Sequence, residues 1–390
     1  MKKGIFSTIA IFLSIIACQT DKAADGASSQ KKPDSLPPPE ADFEASLYKW
    51  GFMNQSGNLV IPAQFDDAGD FSEGLASVRI KGRWGYIDPQ GNKIIPPQFK
   101  GAWAFSEGLG RVLTYENKMG FINSNGKWII EATLEEAQDF KNGLARIRQG
   151  ERYGYINKSG AIVIEAKFDR AAPAFENGMS KVKLDGFYGL IDTFGNWLLQ
   201  PKYEQVSIFS EGLVRVKTQG KYGFVDKKGQ FVIPAQFTTA QDFRDGHAPV
   251  GQGGMLGLID KTGKFTVSPQ YQQLWHAGER LWIAEKDQKF GCINASGAVL
   301  IPLQFDQLYS FSEGIASYQI GRLWGLIDTS GILITKPQFG LGWAFKGGIA
   351  RAAVYGGIAF INRRGEVVIP PNYLDARDFS EGLAKVQVYE

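Results

Sequence analysis

The chain is poor in the residues that most chemistry needs. Its 390 residues include two cysteines, Cys18 and Cys292, and two histidines, His247 and His276. Once Cys18 is engaged elsewhere, Cys292 has no partner within the chain, so the fold does not rest on disulfides. Two histidines alone do not make a metal site, and no metal or cofactor is expected. The patterns G-x-S-x-G, H-E-x-x-H and paired C-x-x-C are missing, which removes the recognisable hydrolase, metalloprotease and redox motifs. The run "GQGGM" from Gly251 is glycine-rich, but it lies in a hairpin with no helix to hold a phosphate at its N-terminus. Charge of one sign is missing too. The 43 basic residues stand against 40 acidic ones with no basic stripe, which argues against nucleic acid as the main partner. No window beyond the first residues sustains a helical period. The one long apolar run, Ile5 to Ala17, is about a dozen residues, too short for a comfortable membrane span.

That run has a different reading. "MKK" is a positive n-region and Ile5 to Ala17 the apolar core of a signal peptide. The run ends in "IIAC", which resembles the lipobox of a bacterial lipoprotein. The resemblance implies cleavage after residue 17 and a lipid on the sulfur of Cys18; an ordinary secretory signal with an incidental cysteine is the alternative. Gln19, not Asp, follows the cysteine, a pattern that resembles outer-membrane sorting. Residues 18–43 are polar and rich in Ser, Gly and Pro. Such a stretch buries too little apolar surface to offset its chain entropy and reads as a tether reaching about 25 to 30 Å.

What the chain has in abundance is one word. "FSEGLA" at Phe71 returns at Phe379, with near-copies at Phe105, Phe140, Phe175, Phe209, Phe243, Phe311 and Phe345. A second word precedes it: Trp50-Gly51, Trp84-Gly85, Met119-Gly120, Tyr153-Gly154, Tyr188-Gly189, Tyr222-Gly223, Leu256-Gly257, Phe290-Gly291, Trp324-Gly325 and Ile358-Ala359. The spacing is 34 or 35 at every step, so ten tandem units fill residues 44–390 as one domain. In the unit from Leu75, "LASVRI", "WGYID" and "KIIPPQF" read as short antiparallel strands, with a possible fourth before the next bend. The expectation is all-β, a β-meander of three to four strands per unit. Phe71 and Leu75 read as core and "SEG" as the bend into the next unit, which each unit keeps because each needs its neighbour to bury its face.

The sharpest local signal is a turn with Asx and, three residues on, Gly. The pairs are Asn54/Gly57, Asp88/Gly91, Asn123/Gly126, Asn157/Gly160, Asp192/Gly195, Asp226/Gly229, Asp260/Gly263, Asn294/Gly297, Asp328/Gly331 and Asn362/Gly365. The Asx side chain accepts from turn amides while Gly takes positive φ, as in a type I turn closed by a glycine bulge. A calcium loop would need several oxygens from alternate positions, and one Asx per unit does not supply them.

These words, beginning "KWGFMN…GNLVIPAQFDDAGDFSEGLASV", resemble the WG-repeat, or KWG-repeat, family from Lys49 to Glu390. The resemblance implies a β-rich array in bacterial, often envelope, proteins and no shared enzymatic activity. The array opens at the second strand of a unit and finishes at the first, "LAKVQVYE". Pairing those ends would complete a unit and close a β-propeller-like ring or toroid. The alternative is an open β-superhelix, with the last strand left as a bare edge.

Function is sought where the repetition fails. Two residues before the bend phenylalanine the sequence varies freely, and aromatics stand there at Trp103, Trp275, Tyr309 and Trp343. Exposed, they could stack on sugar faces or grip apolar side chains; buried, they fill gaps between units. The seventh unit, "LWHAGERLWIAEKDQ", loses the bend word, with Ala277 and Arg280 in place of its Phe and Gly, and gathers Trp275, His276 and Trp282. It is either a binding patch or a decayed repeat. The expectation is a lipid-anchored, non-enzymatic, monomeric envelope protein presenting a binding or scaffold surface to protein or glycan. The rival is a glycan hydrolase or lyase whose carboxylates converge in a central channel. Cys292, in a strand after Gly291, is expected to be buried and inert.

Overall fold

The computed structural model describes residues 47–389. The signal segment, Cys18 and the tether lie outside the described residues.

The first strands show how one unit is built. β1 (Tyr48–Asn54) is followed by β2 (Leu59–Phe65), β3 (Asp67–Ala68), β4 (Ala76–Ile80), β5 (Arg83–Ile87) and β6 (Lys93–Phe99). The last four form one antiparallel sheet in the order β3-β4-β5-β6. The pattern recurs: ten sheets, nine of four strands and one of three, make up the described residues. They stand in a ring as a ten-bladed, β-propeller-like array. The first strand of each sheet, two residues long in eight of them and six in the other two, is the additional strand that the sequence left open.

The second word is explained by β6. Register between β5 and β6 jumps from Trp84↔Phe99 to Tyr86↔Ile95, so β6 bulges outward around Pro96 and Pro97 opposite Gly85. A Cβ on Gly85 would lie 2.4 Å from the Ile95 carbonyl oxygen. The glycine of "WG" is therefore a space for a kinked strand. The tenth unit, which carries Ala359 instead, keeps only Val367–Ile369 paired and loses the register beyond Phe360↔Ile369.

The Asx turns close the hairpin before the bulged strand. Gly91 N–H donates to the Asp88 carbonyl at 2.9 Å, and Asp88 Oδ1 accepts from the amides of Gln90 at 3.0 Å and Asn92 at 2.8 Å. Gly91 has φ +84°, the left-handed conformation the turn demands. The same bond, to the carbonyl of the Asx three residues before, is made at 2.9 or 3.0 Å by Gly57, Gly126, Gly160, Gly195, Gly229, Gly263, Gly297, Gly331 and Gly365. Their φ values lie between +72° and +89°.

The packing adds a second role for these glycines. A Cβ on Gly91 would lie 3.2 Å from Ile61 Cγ2 of the preceding sheet. A Cβ would likewise meet Ile95 from Gly126, Ile130 from Gly160, Ile164 from Gly195 and Leu199 from Gly229. Gly263 faces Ile233, Gly297 faces Val267 and Gly331 faces Ile301 in the same way. Gly365 faces Thr335, and Gly57 faces Ile369 across the chain ends. Each turn tip leans on a side chain of the preceding unit, a contact that the letters of a single unit do not show.

Each hydrophobic cluster lies between two sheets. One joins Phe52, Ile61 and Phe65 to Phe71, Val78 and Ile87 of the next sheet. Ten such clusters serve ten sheets, and the tenth packs Phe360 and Ile369 against Ala384, Val386 and Met53. The ends meet: β1 pairs antiparallel with the C-terminal strand Leu383–Tyr389 over seven residues, from Tyr48↔Tyr389 to Asn54↔Leu383. The array is closed, and the open superhelix is set aside by this pairing.

Candidate functional site

"SEG" is more than a bend. In the Phe71 bend, Ser72 and Leu75 exchange backbone bonds while Glu73 (φ 54°) and Gly74 (φ +79°) turn the chain. That conformation points two successive amides the same way, the arrangement that binds anions. The anion is supplied by the neighbouring unit. Glu73 accepts from the amides of Glu107 at 2.6 Å and Gly108 at 2.8 Å, and Glu107 from those of Asn142 at 2.5 Å and Gly143 at 2.9 Å. Glu381 does the same for Glu73 and Gly74 across the chain ends. Glu211 serves Gly246, and Glu313 serves Gly347 and Gly348.

A second tie runs beside the first. The Ser72 hydroxyl donates to the Phe105 carbonyl at 2.7 Å, and Ser106, Ser210, Ser312 and Ser380 repeat the bond to the next bend phenylalanine. Where Lys141 replaces serine, the Asn142 side-chain amide makes the bond to Phe175. A third tie is ionic. Arg111, on its second strand, donates to the Ala137 carbonyl and pairs with Asp139 at 2.7 Å. Arg215 with Asp242, Arg351 with Asp378 and Lys385 with Asp70 are its counterparts.

Among the described residues none of the three ties is made at the junction between the Phe175 and Phe209 bends, and the two junctions flanking the altered bend of the seventh unit lack them as well. Asn177 stands where a glutamate would serve the amides of Glu211 and Gly212, Glu176 replaces the serine, and Lys181 faces Ile208 where an aspartate would stand. One extra residue, in "APA" at Ala172 to Ala174, separates the short strand Arg170–Ala171 from Phe175. Here a cleft of about 630 Å³ opens, lined among others by Pro173, Asn177, Lys181, Phe209, Arg215 and Arg244. Phe209 is partly exposed, whereas Phe71, Phe140 and Phe175 are buried.

The ten-unit sequence pattern matches a described family. The WG-containing repeat model matches ten segments: residues 50–84, 84–118, 119–153, 153–186, 188–222, 222–255, 257–277, 290–324, 324–356 and 359–390. The chain belongs to the WG-containing repeat family. The shortest match, 257–277, stops where the seventh unit loses its bend word. Comparison with curated proteins gives no match. Among solved structures the ring is similar to the computationally designed Ika8 protein (14% identity, 68% of this chain and 93% of that one, TM-score 0.36). It is also similar to a eukaryotic initiation factor (11%, 73% and 94%, TM-score 0.45) and to BamB from Moraxella catarrhalis (11%, 74% and 96%, TM-score 0.34). Likeness at this level bears on neither ligand nor activity.

The WG-repeat ring places the sequence candidates in two ways. Trp275, His276 and Trp282 meet beside a second cleft of about 590 Å³, with Gln241, Arg215, Asp242 and Arg244. The last three also line the first cleft, so the two adjoin. His276 Nε2 lies 2.7 Å from Asp245 Oδ2, so in this unit a ring nitrogen rather than the bend amides meets the neighbouring acid. Trp282 is fully buried in a core cluster, and its indole N–H has no partner; it packs and does not present a face. Trp275 is half-buried, edge-on to Phe290, and donates to Ser310 at 3.3 Å.

Trp103, Tyr309 and Trp343 stand apart from these clefts, each held by its own unit. Arg111 lies 4.0 Å over Trp103 and Arg351 4.7 Å over Trp343, while Tyr309, exposed, stacks on Trp324 with centroids 4.5 Å apart. The ten turn glycines and their Asx partners line neither cleft; they hold blade to blade. Cys292 is buried, which pushes its thiol up to about 12. Among the described residues no three His, Cys, Asp or Glu side chains converge as metal ligands.

Proposed function

We propose that the protein is a lipid-anchored, non-enzymatic envelope component whose ring is a binding or scaffold surface for protein or glycan. The single observation that carries this reading is the double cleft. It lies where all three ties lapse, and it gathers Lys181, Arg215, Arg244 and Trp275. A repeat scaffold becomes a site where local rules fail, and cations beside aromatic and aliphatic surface suit recognition of polar ligands. Carboxylates support the same reading. Glu107 is raised by burial, but the amides of Gly143 and Asn142 and the ammonium of Lys158 outweigh it and hold the acid below its ordinary value. Glu313 is held low by Arg363 and by the amides of Gly348 and Gly347. These acids serve as charged acceptors inside the ring.

The anchor rests on "IIAC" and Cys18, with the outer membrane as its location and a single chain as the working unit. Two measurements test the reading. Membrane fractionation of Cys18→Ser tests the anchor: release to the soluble fraction supports it, and unchanged pelleting opposes it. Binding of envelope proteins and a glycan panel to the full chain tests the surface. A ligand lost on Arg244→Ala or Trp275→Ala and kept on Gln90→Ala, remote from the clefts, supports it; equal retention on all three opposes it.

A further inference from the structure

We infer that the amides of Glu211 and Gly212 form a seat for a carboxylate brought by a partner, an acidic peptide segment whose Glu or Asp side chain docks in the cleft between the Phe175 and Phe209 bends. This deepens the proposed binding role and rests on it.

The case is an internal comparison. The Phe209 bend has the same construction as its sisters. Ser210 and Leu213 exchange backbone bonds at 2.9 and 3.1 Å, and Glu211 and Gly212 have φ of 52° and 90°. Glu107 and Gly108, with φ of 55° and 85°, hold the Glu73 carboxylate at 2.6 and 2.8 Å. Five bends in this ring receive a glutamate in this way. Fixed amides bind an anion without reorganisation, and a hydrogen bond to a charged group is the strong kind. At the Phe209 bend the residue that would supply the acid is Asn177, and no side chain of the chain accepts from these two amides among the described residues.

The surroundings fit an acid arriving from outside. Glu211's own carboxylate is directed to the next unit, where it pairs with Lys261 at 3.1 Å and accepts from Gly246. Asp242 is engaged by Arg215. Of the charged groups lining the cleft, Lys181, Arg244 and Glu176 are left without an ion pair among the described residues, an excess of one positive charge. Pro173, Ile208 and Phe209 add apolar surface for the rest of the segment. The occupant of every filled seat is a glutamate side chain on a peptide, which favours an acidic peptide over an acidic glycan.

The test uses a change the ring itself suggests. Asn177→Glu should fill the seat with the chain's own acid. With the purified full chain, fluorescent hexaglutamate should bind the parent saturably. Binding should weaken at least tenfold with Asn177→Glu, whose melting temperature should rise, and should weaken with Arg244→Ala, while hexaglutamine should not bind. The proposal is overturned if Asn177→Glu binds hexaglutamate as the parent does, or if the parent binds none. A uronic acid oligosaccharide that binds in an Asn177-dependent way while hexaglutamate does not would overturn the peptide assignment. If the parent retains an envelope ligand that Asn177→Glu leaves untouched, the seat is wrong and the wider binding role stands.

Discussion

The carboxylate of Glu73 bridges to the amides of Glu107 and Gly108 of the following bend, at 2.6 and 2.8 Å, while its own amide and that of Gly74 are bridged by Glu381. Glu73 and Glu107 are thus each donor backbone to one neighbour and acceptor side chain to the other. Repetition of "FSEGLA" follows from that double duty.

Removing one clasp should cost little but measurably. Glu73 is exposed, so the loss in Glu73→Ala is expected near 1 kcal/mol, below the usual figure for charged hydrogen bonds because water competes. Glu73→Gln, which keeps an acceptor oxygen, should cost less. Thermal unfolding checks this, with Asn177→Ala as the comparison that should change little.

Stability should fall on the acid side. Glu107 and Glu313 are held below their ordinary 4.5 in the folded ring, and Asp88, Asp192, Asp260 and Asp328 below 3.8. A depressed acid contributes stability that is fully present above the unfolded value and lost as pH falls through the folded one. The melting temperature should therefore be level with respect to these groups from pH 7 to 5 and decline below about 4.5. The decline should be shallower in the double variant Glu107→Gln, Glu313→Gln.

The two structural glycines should fail for different reasons. Gly85→Ala drives a Cβ against the Ile95 carbonyl and is expected to cost about 3 kcal/mol, as overpacked sites do. Gly91→Val places a β-branched residue at φ +84°, with strain of about 1 to 3 kcal/mol. Gln90→Val, one residue away in the same turn, should cost far less. Chemical denaturation of the three variants separates them.

Much of the ring was legible in the sequence because its rules are local. Alternation gave the strands, Asx and Gly gave the turns, and the complementary phase of Trp50 and Leu383 pointed to closure. What ran between units was not legible in the same way. The turn glycines read as conformational devices, yet Gly57 also makes room for Ile369 of the far chain end. Aromatic residues at one register suggested a row, yet Trp103 and Trp343 sit under arginines of their own units and Trp282 is core. The decisive residue at the clefts was Asn177, whose meaning depends on amides one unit away. A signal was present: Arg111 with Asp139, Arg215 with Asp242 and Arg351 with Asp378 recur 27 or 28 residues apart, while the residue 27 after Lys181 is Ile208. It becomes readable only once the ties are known to run between units.

Closure of the ring is the claim on which the rest depends, and hydrogen exchange after deletion of residues 383–390 tests it most directly. That deletion removes the partner of β1 and the buried Ala384 and Val386, at about 1.5 to 3 kcal/mol for the valine alone. The closed ring predicts that amides of residues 50–61 lose protection together with those of residues 360–369. Loss confined to residues 360–369, with residues 50–61 as protected as in the parent, would contradict it.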